Sequence, residues 1–384
     1  MRTGTPPTII GARPLLRAVY DRFDRFLGRG GASVTMPPLD GALKPNRMLD
    51  DARSLAKIPA PDNLVLVGAD AVFSSGRGLL RVASGAWEKP AAVAEFDQPV
   101  LALAASPDGA LAVAVDGKGV TVIGGKYDGK SFALDSAPSL RCIVALAFHG
   151  DDALIVCNGS SINKPADWQR DCLEREAAGS VWTLELASGR ATLLADGLSF
   201  PYGALVLPGG EEAAVSESWK SRIVKIGLRA KGAPKPLLGG LPGYPSRLSS
   251  RAEGGAWLSV FAPRSQLIEF VMREKAYRRA MMAEVDPEFW IAPSLSSGKS
   301  FSEPMQGGAL KQMGILKPWA PTRSYGLAIA LDESFEPVAS LHSRAGGVRH
   351  GITSCQEIAG ALVMTSKGGD EIIALSLQCI GDHE

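Results

Sequence analysis

Histidine and cysteine carry much of the metal and nucleophile chemistry open to a protein near neutral pH, so their spacing sets the first limits. The four histidines, His149, His342, His350 and His383, form no HxH or HExxH pair, and no zinc site is expected. The five cysteines, Cys142, Cys157, Cys172, Cys355 and Cys379, are odd in number, scattered and free of any CxxC. A disulfide framework is not expected; Cys142 and Cys157 could face each other across one sheet, but buried free thiols are the plainer reading. Charge is equally restrictive, because 41 Lys and Arg against 40 Asp and Glu leave a net charge of +1. That balance removes the electrostatic basis for nucleic acid or an anionic membrane as the main partner. Any chemistry must come from side chains distant in sequence that the fold brings together.

The elements that would do so are legible as a repeat. In VLALAASPDGALAVAVDGKGVTVI, from Val100 to Ile123, an apolar run reaches a tight turn, then a second run, then a third. Related units start at Asp62, Ile143, Tyr202, Ser246 and His350. One such unit is a small antiparallel sheet that cannot bury both faces alone, and stacking around an axis solves this. The expected fold is all-β, a six-bladed β-propeller. The last unit ends after its third run, IIALSL, so Arg53 to Ile58 is expected to supply its outermost strand and close the ring.

Residues 1–52 are then an N-terminal helix and linker, and 53–384 the propeller. Pro14 to Leu27 reads as an amphipathic helix, either packed on the propeller or, given its bordering arginines, touching a membrane surface or partner; Asp21 and Asp24 disfavour the membrane. Gly28 to Pro45 reads as an extended linker. No run of eighteen apolar residues and no signal-peptide pattern occurs, which points to the cytoplasm. Two insertions break the rhythm, Ile162 to Gly179 and Arg273 to Pro321, the second with a helix expected over Arg273 to Val285 in the fifth blade. Both are candidates for a lid over the site or for plain surface decoration.

The fourth and fifth units carry FPYGALVLPGG, VSESWKSRIVKIGL, LPGYPSRL and GGAWLSV in that order. WQRDCLE, YGLAIALD and ITSCQE extend the series, from about Asp62 to the C-terminus. The chain resembles the strictosidine synthase-like family, which shares its propeller with gluconolactonases, regucalcin and paraoxonases. The resemblance implies an axial site. Metal-dependent relatives hold calcium there through oxygen ligands from several blades. The matching positions here are Asp62, Val144, Tyr202, Ser246 and Arg247, of which only Asp62 keeps the ligand chemistry. No metal or other cofactor is therefore expected. Strictosidine synthases use a glutamate of the last blade as acid–base group; it falls on Thr353, which has no useful pKa, leaving His350, three residues earlier, as the candidate.

On this reading His350 and Tyr202 are the candidate catalytic residues, and Asp62, Arg247, Ser246 and Thr353 the candidate ligand-binding residues. Arg247 would stand in place of the cation, gripping a carboxylate or phosphate of a ligand, or would simply plug the channel by pairing with Asp62. Glu217 matches a family glutamate and is either a brace for Arg222 and backbone groups or part of the chemistry. The expected function is a metal-independent enzyme, of lyase, synthase or hydrolase type, acting on a small organic molecule in the axial pocket. The alternative is a catalytically silent propeller that binds a small anionic ligand or a protein partner.

Overall fold

Alternating apolar runs joined by glycine-rich turns fold locally into antiparallel hairpins, and here they assemble into six four-stranded sheets. A computed structural model describes residues 39–83, 85–133, 140–298, 311–312, 315–316 and 323–381. The expected helix from Pro14 to Leu27 lies outside them. The six sheets are the blades of a β-propeller. Their innermost strands are Pro61–Val67, Val100–Ala105, Ile143–His149, Pro201–Val206, Gly243–Ser250 and Ile352–Ile358. Each packs against the next around the ring, and the first packs against the last.

Blades 1 to 5 follow chain order from the axis outward. Blade 6 takes three strands from the C-terminal unit and its outermost from Arg53–Lys57, antiparallel to Glu371–Ser376. That pairing removes a free edge and ties residues near the two ends of the propeller together. Apolar layers fill the spaces between blades. Val72 and Leu79 of blade 1 meet Leu103 and Val113 of blade 2, and Ala112 and Val122 meet Leu154 and Leu184 of blade 3. Burial of each such leucine or valine stabilises the ring by about 1.5–3 kcal/mol.

One irregularity recurs in every blade. Pairing between the first and second strands slips near the start of the inner strand, between Asp62 and Val65, Val100 and Ala102, Ile143 and Ala145, Pro201 and Gly203, Pro245 and Leu248, and Ile352 and Ser354. These are β-bulges, which release a residue from the ladder and re-aim it. The released residues include Leu101, Val144, Tyr202, Ser246, Arg247 and Thr353.

The insertions are helical and meet each other. The helix Trp168–Glu174 lies between the second and third strands of blade 3; Gln266–Arg273 and Lys275–Glu284 lie between the corresponding strands of blade 5. Where one helix was expected, two form: Ser265 caps the first by accepting from the Ile268 amide at 3.2 Å. Cys172 and Leu173 of blade 3 share a small apolar core with Ile268, Val271, Met281 and Trp290 of blade 5. Gln169 donates to the Pro293 carbonyl at 2.7 Å, and Arg175 to that of Met272 at 2.9 Å. The two insertions form one cap with its own core. No helix among the described residues is long and apolar enough to cross a membrane.

Candidate active site

Arg247 leaves the inner strand of blade 5 at a bulge and crosses the axis. Gly203 makes the approach possible, since a Cβ there would sit 2.5 Å from the Ser246 carbonyl and 2.8 Å from the Arg247 Cα. The guanidinium then touches every other blade. Nη1 donates to Asp62 Oδ1 of blade 1 at 2.7 Å and to the Thr353 carbonyl of blade 6 at 3.4 Å. Nη2 donates to the carbonyls of Leu101 and Val144, in blades 2 and 3, at 3.2 and 3.0 Å. In blade 4 the Tyr202 ring lies 5.0 Å from the guanidinium carbon. Bulges have turned three carbonyls inward, and one planar cation collects them.

Asp62 is buried and accepts a second cation, Lys367 Nζ, at 2.8 Å through Oδ2. Burial alone would raise its pKa, but Arg247 and Lys367 outweigh it and lower the carboxyl to about 2. Burial likewise pulls the Lys367 ammonium down, while Asp62 and Tyr202 more than compensate, so its pKa is raised. Asp62 is therefore a fixed anion and Lys367 a fixed cation at neutral pH. Two cations against one carboxylate leave one positive charge uncompensated in this cluster.

Above the cluster opens a cavity of about 320 Å³. Trp168, Phe200, Tyr202 and Phe261 line one side, from blades 3 to 5 and their cap; Lys367, Asp62, Ser74 and Asp116 line the other, from blades 6, 1 and 2. The rings brace each other. Tyr202 meets Phe200 and Phe261 edge-on, with centroids at 5.6 and 5.5 Å, and Trp219 stacks behind Trp168 at 6.2 Å. Asp171, buried and with its pKa raised by that burial, accepts from the Trp219 indole at 2.8 Å and fixes the stack.

The structure thus brings Asp62, Arg247 and Tyr202 together and places the other candidates behind them. His350 does not line the cavity, and both its ring nitrogens are committed: Nε2 donates to the Arg344 carbonyl at 2.9 Å, and Nδ1 accepts from Ser324 Oγ at 2.7 Å. Burial lowers its pKa, so the ring is neutral. Ser246 is fully buried, its hydroxyl 3.1 Å from the Ser259 carbonyl and 3.2 Å from that of Thr353. Thr353 is fully buried too; its hydroxyl lies 3.1 Å from that of Thr365 and its carbonyl serves Arg247. Neither lines the cavity. Glu217 braces the backbone amide of Ser199 at 2.9 Å and the Arg222 guanidinium at 2.5 Å. Burial pushes the thiols of Cys142 and Cys157 up to about 12, far from the thiolate a nucleophile requires.

The four oxygens around the axis do not fit a resident divalent cation. A hard cation would need the Asp62 carboxylate and the three carbonyls, and the guanidinium already takes all of them.

Sequence reasoning missed Lys367, Asp116 and the rings of Trp168, Phe200 and Phe261. The first two had a usable signal: Gly76, Asp116 and Lys367 each follow the second strand of their blade directly, and all three line the cavity. Tracking that turn through the repeats would have found them. Phe261 reads as one more apolar strand residue.

No family profile matches the chain. Over 104 residues it is 27% identical to the adipocyte plasma membrane-associated protein of Danio rerio, a stretch covering 25% of this chain and 25% of that protein's length. Among solved structures, a gluconolactonase from Xanthomonas campestris superposes with a TM-score of 0.55 at 16% identity, over 90% of this chain and 96% of that one. A luciferin-regenerating enzyme superposes with a TM-score of 0.50 at 10% identity, over 87% and 95% of the two chains. At such identities these likenesses show the fold alone, a six-bladed propeller.

Proposed function

We propose that the axial cavity is the active site of a hydrolase-type enzyme that acts on small organic molecules without a bound metal ion. The observation that carries the reading is the division of labour between two cations. Arg247 fills the axis and holds the oxygens that would otherwise claim an ion, while Lys367 faces an open cavity. One N–H of Lys367 goes to Asp62, and its ammonium makes no other hydrogen bond to the described residues. Tyr202 lines the same cavity, and no hydrogen bond among the described residues uses its hydroxyl. Together they are donors for the carbonyl oxygen of an ester or lactone, whose charge grows as the carbon becomes tetrahedral.

Asp62 is too acidic to act as a base, and Lys367 is too firmly protonated to act as a nucleophile. Asp116, on the same charged side of the cavity, is the remaining carboxylate of its lining. In this scheme it takes a proton from the attacking water, the carbonyl oxyanion rests between Lys367 and Tyr202, and collapse expels the alkoxide, which recovers that proton. The resemblance to the strictosidine synthase-like family supports chemistry on the axis, with the acid–base group moved from the last-blade inner strand to a turn.

Hydrolysis of small aryl esters and lactones, assayed before and after exhaustive chelation, tests this. Turnover should survive chelation, and Lys367→Met should lower kcat by roughly a hundredfold. Turnover that requires an added divalent ion, or an unchanged kcat in Lys367→Met, overturns it. A second reading, a silent binding protein, is favoured by the fixed charge states of Asp62 and Lys367; saturable binding without any turnover selects it.

A further inference from the structure

We propose that the cavity takes a molecule with a flat apolar body and a single carboxylate head, an arylalkanoate in chemical class. This rests on the axial cavity being the site, and it specifies the acid half of the ester or lactone: once the bond is cleaved, its carboxylate pairs with the same Lys367 that held the oxyanion. At about 320 Å³ the cavity is at the small end of ligand sites, which commits it to one ring system and a short chain.

The body is set by the ring side. Trp168, Phe200, Tyr202 and Phe261 form a continuous aromatic wall, held from behind by Trp219 and Tyr244. None of the hydrogen bonds between described residues uses the Tyr202 hydroxyl, and the other three rings carry no polar group toward a hydroxylated ligand except the Trp168 indole N–H. A polyhydroxylated molecule would leave most of its hydroxyls unpaired against this wall, which is costly. An aryl or cycloalkyl body meets no such cost and gains ring-to-ring contact.

The head is set by the charge on the opposite side. Asp62 already accepts from Arg247, the Asn63 amide and Lys367, so its charge is matched and it has little left to give an amine. Lys367 faces the cavity with donors to spare, in a cluster with one net positive charge. A ligand carboxylate completes the pattern as a charge-assisted pair. An aromatic box would ordinarily suit an ammonium ligand, and Asp116 favours one. Here Tyr202 already faces the Arg247 guanidinium, and a second cation would meet Lys367 directly. The ammonium ligand is therefore the competing outcome, and a matched series separates the two.

Binding of 3-phenylpropanoate, 3-phenylpropanamide, 3-phenylpropylamine and gluconate to the full-length protein can be measured by titration calorimetry, with tryptophan fluorescence reporting on Trp168 and Trp219. The acid should bind at least tenfold more tightly than the amide, and the amine and gluconate should not saturate. Lys367→Met should erase the acid–amide difference, and Lys367→Arg should retain most of it; the second variant guards against a folding defect in the first. Trp168→Ala should weaken acid and amide alike, about tenfold, with their ratio intact. Amine binding as tight as acid, gluconate binding as tight as phenylpropanoate, or an acid–amide ratio that survives Lys367→Met overturns the proposal. Failure of the hydrolase reading looks different: phenylpropanoate binds as described while no ester or lactone is turned over. Turnover of hydroxylated lactones with no binding of phenylpropanoate sinks the substrate class alone.

Discussion

The two sides of the axial cavity are held in place by different physics. On the side of blades 3 to 5, aromatic rings contact one another and are pinned by a helical cap with its own apolar core. Their positions depend chiefly on shape and burial, with Asp171, whose pKa burial raises, bracing the Trp219 indole from behind. On the side of blades 6, 1 and 2, position depends on charge. Lys367 is held by Asp62, Asp62 is shared with Arg247, and Arg247 is held by three carbonyls that bulges have aimed at it. The contrast teaches that the cavity's dependence on charge is concentrated on one side. Perturbing each side separately should reveal it.

The largest effect is expected from Arg247→Met. Removing the guanidinium leaves buried Asp62 with Lys367 and the Asn63 amide, and takes the charged donor from the inward carbonyls of Leu101, Val144 and Thr353, which costs about 3–5 kcal/mol. A urea unfolding series would show it, and a loss below 1 kcal/mol would mean the hub does not stabilise the ring. On the ring side, Phe261→Ala removes a side chain that is 2% exposed and touches four other rings, at a cost of about 3 kcal/mol. That loss should be the same at pH 7 and pH 3; a marked pH dependence would erase the distinction between the two sides.

Acid should weaken the charged side next. Folding lowers the Asp62 pKa from 3.8 to about 2, so the unfolded chain takes up a proton at Asp62 before the native one does. The stabilisation is complete above about 4 and is lost as pH falls toward 2, amounting to about 2 kcal/mol. Unfolding midpoints at pH 5, 3 and 2.5 should contain this leg in the wild type and lack it in Asp62→Asn. The smallest effect belongs to His350, which serves neither side: His350→Gln should cost about 1 kcal/mol through its lost hydrogen bonds and leave ligand affinity unchanged. An affinity change of tenfold would return His350 to the site.

Much of the architecture was legible because it is written in short-range patterns. Period-two alternation and recurrent turns mark strands, and six copies imply a ring. The strand Arg53–Lys57 could be inferred because the last unit was one strand short. Asp62, Tyr202 and Arg247 could be singled out beforehand only through the positions that the family resemblance implied. Their neighbours were harder. Ser246 and Thr353 occupy bulge positions as well, but their hydroxyls turn to carbonyls and to Thr365, and only the packed structure shows which way a released residue points. His350 has the chemistry of an acid–base group and the surroundings of a brace. The Gln266–Arg273 helix hid in an apolar run that also suits a strand, and its identity depends on the core it shares with blade 3.

What the amino-acid order alone determined is the repeat and the near-zero charge, because each is a matter of residue type at a readable position. What only the tertiary structure decided is the charge economy of the cavity. Asp62 and Lys367 stand 305 residues apart, and their meeting depends on ring closure. Neither has a fixed role until burial has stripped their water and paired them beside Arg247.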